Sequence, residues 1–204
     1  MRQETVLVPG ARRVEATRDA PEDGAAACVV ACPPHPRMGG HRGDGRLTAV
    51  SDYCTERGVA CLRVDYGEWD DGYGEREDAR NALRWAAERY DRVGLYGFSF
   101  GGGVAALAAA DVDVSVDALA LLAPVSAVGD ELDAAAAIRD IDPSTPVCVV
   151  YGERDDTADW QGVVDAVRER GGPVRALNAD HSFVGQQDAV AEEVGSFLVT
   201  RLTA

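Results

Sequence analysis

The sequence predicts an α/β protein, a mostly parallel eight-stranded sheet with helices on both faces. Short apolar runs rich in β-branched residues, bounded by Gly and Pro, alternate with stretches that are apolar at helical spacing. Most of these runs are apolar almost throughout rather than at every second position, as strands buried on both faces are. No repeat, low-complexity tract or linker interrupts the alternation, so residues 1–204 are expected to form one domain.

The opening runs "ETVLVP" and "RRVEATR" read as a hairpin that turns at Pro9-Gly10. Six further strands follow in "AAACVVAC", "GVACLRVDY", "RVGLYGF", "DALALLAP", "TPVCVVYG" and "GPVRALNA". Between them, Leu47, Val50 and Cys54 mark a helix running to Arg57. Ala79, Leu83, Ala86 and Tyr90 line one face of a second, and an alanine-rich helix follows Ser99. Val163, Val164 and Val167 mark another, and Val190, Val194, Phe197 and Leu198 the last. Between Pro124 and Pro146 there is too little chain for a lid, so no cap domain is expected.

Charge narrows the partners. The formal net charge is −15, and all 20 basic residues are arginine. Such a surface repels nucleic acid and anionic membranes, which excludes both as partners. A GC-rich genome accounts for arginine, alanine and glycine but not for the acidic excess, so adaptation to molar salt is expected. No apolar run approaches the roughly 18–20 residues that span a bilayer. The first residues, "MRQETVLVPG", lack the features of a signal peptide. A cytoplasmic location is the expectation. An odd cysteine count without framework spacing argues against a disulfide scaffold. Cys28, Cys32 and His35 lack the second ligand pair of a metal site.

Two nucleotide-binding uses of such a sheet fall away. A P-loop needs a lysine, and the chain has none. The first parallel strand runs into "PPHPRMGG", without the G-x-G-x-x-G of a dinucleotide site.

The chemistry lies in "GLYGFSFGGG". Glycine at a helix start costs roughly 1 kcal/mol relative to alanine, yet Gly101, Gly102 and Gly103 stand in a row. Gly97-Phe98-Ser99-Phe100-Gly101 matches G-x-S-x-G between a strand and a helix. That turn pushes a nucleophilic serine into the open, with glycines where side chains would strike neighbouring backbone. The alternative is an ordinary turn with Ser99 as helix N-cap.

A serine hydroxyl needs a base, and in this arrangement the chain order is Ser, then Asp or Glu, then His. Of His35, His41 and His181, only His181 follows Ser99. Asp155 and Asp156 lie between them at a strand end. Asp155 is preferred as the acid and Asp156 is the alternative, while Asp159 reads as a solvated residue in the first turn of a helix. One oxyanion donor should be the N–H of Phe100, directly after the nucleophile. The second comes from the loop after the third strand, where Pro33, Pro34 and Pro36 have no N–H, leaving His35 or Arg37.

These motifs resemble the α/β-hydrolase superfamily, most closely its small capless hydrolases near the dienelactone hydrolases. "PPHPRMGGHR" is similar to their H-P-H-P-x-x-G-G loop, and "WDDGYGEREDARNALRW", "GFSFGG", "YGERDD" and "DHSF" have counterparts there. The resemblance implies the α/β-hydrolase fold and an acid three residues after the glycine of G-x-x-D, which is Asp155. It also favours His35 as the second donor. Pro33 replaces the first histidine of the family loop, and Ser99 stands where dienelactone hydrolases carry cysteine. The implied activity is cleavage of a carboxylic ester in a small-molecule acyl substrate, without metal or organic cofactor. A peptidase, a thioesterase and a non-catalytic binding protein are the alternatives. Met38, Trp69, Tyr73 and Trp160 lie on candidate site loops and are expected to line an acyl pocket.

Overall fold

The computed structural model describes residues 1–204. Strands β1 (Arg2–Val8) and β2 (Val14–Ala20) form the opening hairpin. The chain continues through β3 (Ala27–Cys32), a 3-10 turn at Pro36–Met38, α1 (Gly45–Thr55), β4 (Ala60–Asp65) and α2 (Tyr73–Ala87). β5 (Arg92–Phe98), α3 (Phe100–Asp111) and β6 (Ala118–Leu122) follow. A two-stranded ribbon, β7 (Ala127–Val128) with β8 (Leu132–Asp133), leads into α4 (Ala134–Asp140). β9 (Val147–Gly152), α5 (Gln161–Glu169), β10 (Val174–Leu177) and α6 (Gln187–Leu202) complete the chain.

Eight strands form one sheet in the order β1-β2-β4-β3-β5-β6-β9-β10. β1 and β2 pair antiparallel and β2 meets β4 antiparallel; every other pairing is parallel. β3 and β6 are buried at every residue, because helices cover both faces of the sheet centre. One apolar layer gathers residues of α2, α3, α4 and α5, including Leu83, Val104, Ile138 and Val164. The other gathers residues of α1 and α6, including Leu47, Val50, Val194 and Leu198.

Two features differ from the sequence reading. The ribbon and α4 occupy the stretch between Pro124 and Pro146, where the runs are too short for periodicity to register. Tyr90 lies beyond the end of α2 yet stays buried, its hydroxyl accepting a 2.6 Å bond from Arg18 Nε. The chain steps from β3 outward to β4 and then back to β5 on the other side. The loops after β3 and β5 therefore diverge at the carboxyl edge, opening a crevice between neighbouring strands where α/β sheets bind ligands.

Candidate active site

Ser99 sits at the bend between β5 and α3 with φ 56° and ψ −121°. A non-glycine residue there is strained, at a cost of order 1–3 kcal/mol. Tight packing holds the bend: a Cβ on Gly97 would fall on the Gly101 carbonyl, and one on Gly101 on the carbonyls of Cys32 and Pro33. The Ser99 amide donates to Leu122 O (2.9 Å), and its carbonyl accepts from Gly102 N (2.9 Å). Its hydroxyl makes no capping bond to its own helix. It faces His181 Nε2 instead, at 2.9 Å.

His181 Nδ1 lies 2.8 Å from Asp155 Oδ2. An ionised carboxylate only accepts, so Nδ1 carries the proton and Nε2 is left to accept from Ser99. Asp155 follows β9, and its side chain is fully shielded from solvent. Its Oδ1 accepts from the amides of Thr157 (3.0 Å) and Ala158 (3.1 Å). Asp156 and Asp159 are exposed, and α5 begins only at Gln161, so Asp159 precedes the helix rather than lying in its first turn.

The loop carrying His181 is tied down from several sides. Arg154 N donates to Ala179 O (2.9 Å), and Arg46 Nη1 donates to Ser182 O (2.8 Å). Phe183, at φ 49°, is fully buried and meets Phe98 edge-on. The imidazole of His181 stacks on Phe98, ring centroids 5.4 Å apart. Phe98 and Arg46 were not singled out in the sequence, although Phe98 lies inside the G-x-S-x-G string itself.

Two backbone amides at the cleft make no bond within the protein. Phe100 is the first residue of α3, and its N–H has no carbonyl a turn earlier within the helix. In the loop after β3, Arg37 N–H is taken by His35 Nδ1 at 3.2 Å, whereas the His35 amide makes no bond within the protein. Of the two candidate donors, His35 is the free one. Its imidazole is held below the usual histidine range, first by burial and then by the Arg37 charge. The third histidine, His41, is exposed, with Nδ1 accepting from Gly43 N at 3.0 Å.

Ser99 and His181 open into a cleft of about 440 Å³ walled by His35, Met38, Trp69 and Phe98. Tyr73 and Trp160 do not line it. Tyr73 opens α2 with its ring outward and its hydroxyl 2.6 Å from Glu131 Oε2. Trp160 turns onto Tyr151 (centroids 4.2 Å apart) and donates to the Asp155 carbonyl at 3.3 Å, bracing the strand end behind the cleft. Val125, Ala127 and Gly129 complete the wall. All five cysteines are buried, and burial pushes the Cys32 thiol at the end of β3 up to about 12. No three His, Cys, Asp or Glu side chains form a group able to hold a metal ion. No helix is long and apolar enough to cross a membrane.

Sheet order, elbow and loop positions are those of the α/β-hydrolase fold in its small form without a lid. An alpha-beta serine hydrolase homologue from Coxiella burnetii superposes with a TM-score of 0.80 at 26% identity, over 96% of this chain and 97% of that one. A lidless α/β serine hydrolase from Xanthomonas campestris gives 0.81 at 22% identity, over 99% and 96%. A dienelactone hydrolase from Anabaena variabilis gives 0.79 at 20%, over 98% of each chain. The X-Pro dipeptidyl-peptidase (S15) family matches residues 53–139, a stretch that includes the elbow. Among curated proteins none matches this chain.

Proposed function

We propose that this protein is a serine hydrolase that cleaves carboxylic-ester-type bonds through an acyl-enzyme. The observation that carries the reading is the unbroken hydrogen-bonded line from Ser99 Oγ through His181 to the buried Asp155 carboxylate. Ser99 Oγ attacks the ester carbonyl as its proton passes to His181 Nε2. Asp155 keeps the imidazole in the accepting tautomer and stabilises the imidazolium. The carbonyl oxygen, now negative, takes N–H bonds from Phe100 and His35, each donor contributing about 3 kcal/mol in sites of this kind. Collapse breaks the bond to the alkoxy oxygen, which leaves as alcohol with the proton from His181. Water then attacks the acyl carbonyl, gives its proton to His181, and the acid departs as that proton returns to Ser99. Every proton is carried by His181, and no cofactor enters the balance.

The S15 match raises peptide cleavage as a second reading. A dipeptidyl peptidase has to hold a free ammonium, and the carboxylate near the cleft, Asp44, is already taken by Arg46 through both oxygens. This favours uncharged esters over dipeptide amides. A fluorophosphonate probe and a panel of p-nitrophenyl esters test the reading together. Labelling confined to Ser99, with ester turnover abolished in Ser99→Ala, is expected. An intact, folded protein that takes no label would be a binding protein with a hydrolase fold, and turnover of X-Pro amides but no ester would make it a peptidase.

A further inference from the structure

The stretch "WDDGYGEREDARNALRW" contributes only Trp69 to the cleft described above, yet it buries two carboxylates. Glu75 and Asp78, both in the first turns of α2, have fully buried side chains. Neither is spent on its own helix alone. Glu75 Oε2 accepts from Gly72 N (2.8 Å), capping the helix start from one side, and Oε1 reaches back to Asp70 N (3.0 Å), two residues ahead of the cap. Asp78 Oδ2 accepts from Gly67 N at 2.9 Å. Arg12, from the turn between β1 and β2, donates from Nε to Asp78 Oδ1 (2.9 Å) and from Nη2 to the Glu68 carbonyl, and lies 3.8 Å from Glu75 Oε1. A Cβ on Gly74 would strike this guanidinium, so the glycine makes room for it.

All of these bonds converge on one segment, residues 67–72. On its other side the segment meets the ribbon: a Cβ on Gly72 would fall on Val128, and one on Gly129 would press the Asp71 carbonyl. At its centre stands Trp69, Nε1 bonded to Asp71 Oδ1 at 3.0 Å and indole stacked on His35. His35 in turn supplies the free amide beside Ser99. Burying two acids beside a partly exposed cation is costly, and a simple helix cap does not require it.

We infer that Glu75, Asp78 and Arg12 are positioning residues: they hold the 67–72 segment so that Trp69 clamps His35 and aims its amide at the oxyanion. The inference rests on the serine-hydrolase reading, and it adds a role that the triad does not contain. The carboxylates never touch substrate. They act at second hand, through a loop and a ring stack.

The test is the rate at which a fluorophosphonate labels Ser99, since its phosphoryl oxygen meets the same donors, measured beside kcat for an ester and Tm. Glu75→Gln keeps the shape but turns an NH₂ toward one of the two amides. It is expected to slow labelling and kcat by about tenfold or more, at temperatures where the variant is fully folded, with KM little changed. Trp69→Ala is expected to slow both similarly, and Glu75→Gln added to Trp69→Ala to cost nothing further in rate while still lowering Tm. Wild-type labelling in folded Glu75→Gln would overturn the inference, as would losses that multiply in the double variant. Should Glu75→Gln fail to fold, wild-type rates in Trp69→Ala would overturn it just as well, because the last link would be idle. A wild-type protein that takes no label sinks the hydrolase reading itself and this role with it.

Discussion

The imidazole of His35 lies on the indole of Trp69, centroids 4.5 Å apart and planes 25° from parallel, while its backbone amide stays unbonded. Side chain and main chain of one residue thus have separate tasks, and proline separates them. His35 has φ −56° and ψ 119°, which proline adopts without strain. His35→Pro is expected to lose about 100-fold or more in kcat through the missing N–H, and His35→Ala, which keeps the amide, clearly less. Steady-state kinetics on one ester decides it; equal losses would place the second donor elsewhere.

Ser99→Ala and His181→Ala should each remove hydrolysis by a factor of about 10⁴ or more, because the members of such a unit fail together. Asp155→Asn should cost somewhat less, and Asp156→Asn almost nothing, since Asp156 faces solvent. Activity that survives in Asp155→Asn but vanishes in Asp156→Asn would reverse the assignment of the acid.

His181 accepts a proton only when neutral, so kcat/KM is expected to fall on the acid side along a single-proton limb. His35 also lines the cleft, but burial and Arg37 hold its imidazole below the usual range and therefore uncharged at neutral pH. His35→Ala should lower the plateau and leave the limb where it is. A profile flat to pH 4 would contradict a histidine base.

Away from the cleft, Asp19 is fully buried and accepts from Arg63 Nε (2.7 Å), Ser51 Oγ (2.7 Å) and Gln3 Nε2 (2.8 Å). Burial pushes its carboxyl upward, but the bonds from Arg63, Gln3 and Ser51 outweigh this and hold it below the usual range. A depressed carboxyl stabilises the fold above its unfolded value of about 3.9, and that share is lost as pH falls through the folded value. Asp19→Asn strands the Arg63 cation and should cost about 3–5 kcal/mol in urea melts at pH 7. The acid limb of stability, below about pH 4, should be shallower in the variant.

The net charge of −15 sets a dependence on salt. At about 0.01 M salt the Debye length is near 30 Å, so carboxylates repel across the whole surface, and at molar salt this falls to about 3 Å. We propose that the protein is adapted to high salt. Tm should rise steeply with sodium or potassium chloride, with best activity above about 1 M. Melts at low and multimolar chloride check it, and an unchanged Tm would remove the proposal.

Much of this was readable in the sequence because it rests on rules of order and exclusion. The six strands from β3 onward that pair in parallel all lie inside the runs that predict them, since buried parallel strands must be apolar throughout, whereas β1 and β2 of the opening hairpin each extend two residues beyond theirs. Ser99, Asp155 and His181, which the structure joins, stand out through chain order and the scarcity of histidine. Proline chemistry left His35 or Arg37 as the second donor and the family resemblance favours His35; the bond from Arg37 N to His35 Nδ1, which occupies the Arg37 amide, supports the same choice. Side-chain direction is what the sequence withholds. Tyr73 and Trp160 sit on the right loops and turn away from the cleft, and the reach of Arg46 to the Ser182 carbonyl spans 136 residues. The burial of Glu75 and Asp78 is hidden for the same reason: acids in the first two turns of a helix ordinarily read as solvated partners of the helix dipole.

The stretch after β6 holds a ribbon of two two-residue strands and a seven-residue helix, and nothing folds over Ser99. An enclosed hydrolase brings its own roof and dries the reaction before the bond breaks. In the reaction proposed above that task would pass to the molecule being cleaved. A substrate settling against Met38 and Trp69 would itself have to screen the oxyanion from bulk water, so on this proposal a bulky, flat or greasy acyl group assists its own cleavage and a small polar one does not. Selectivity in this architecture is thus written less by the walls than by how well each guest seals the doorway it enters.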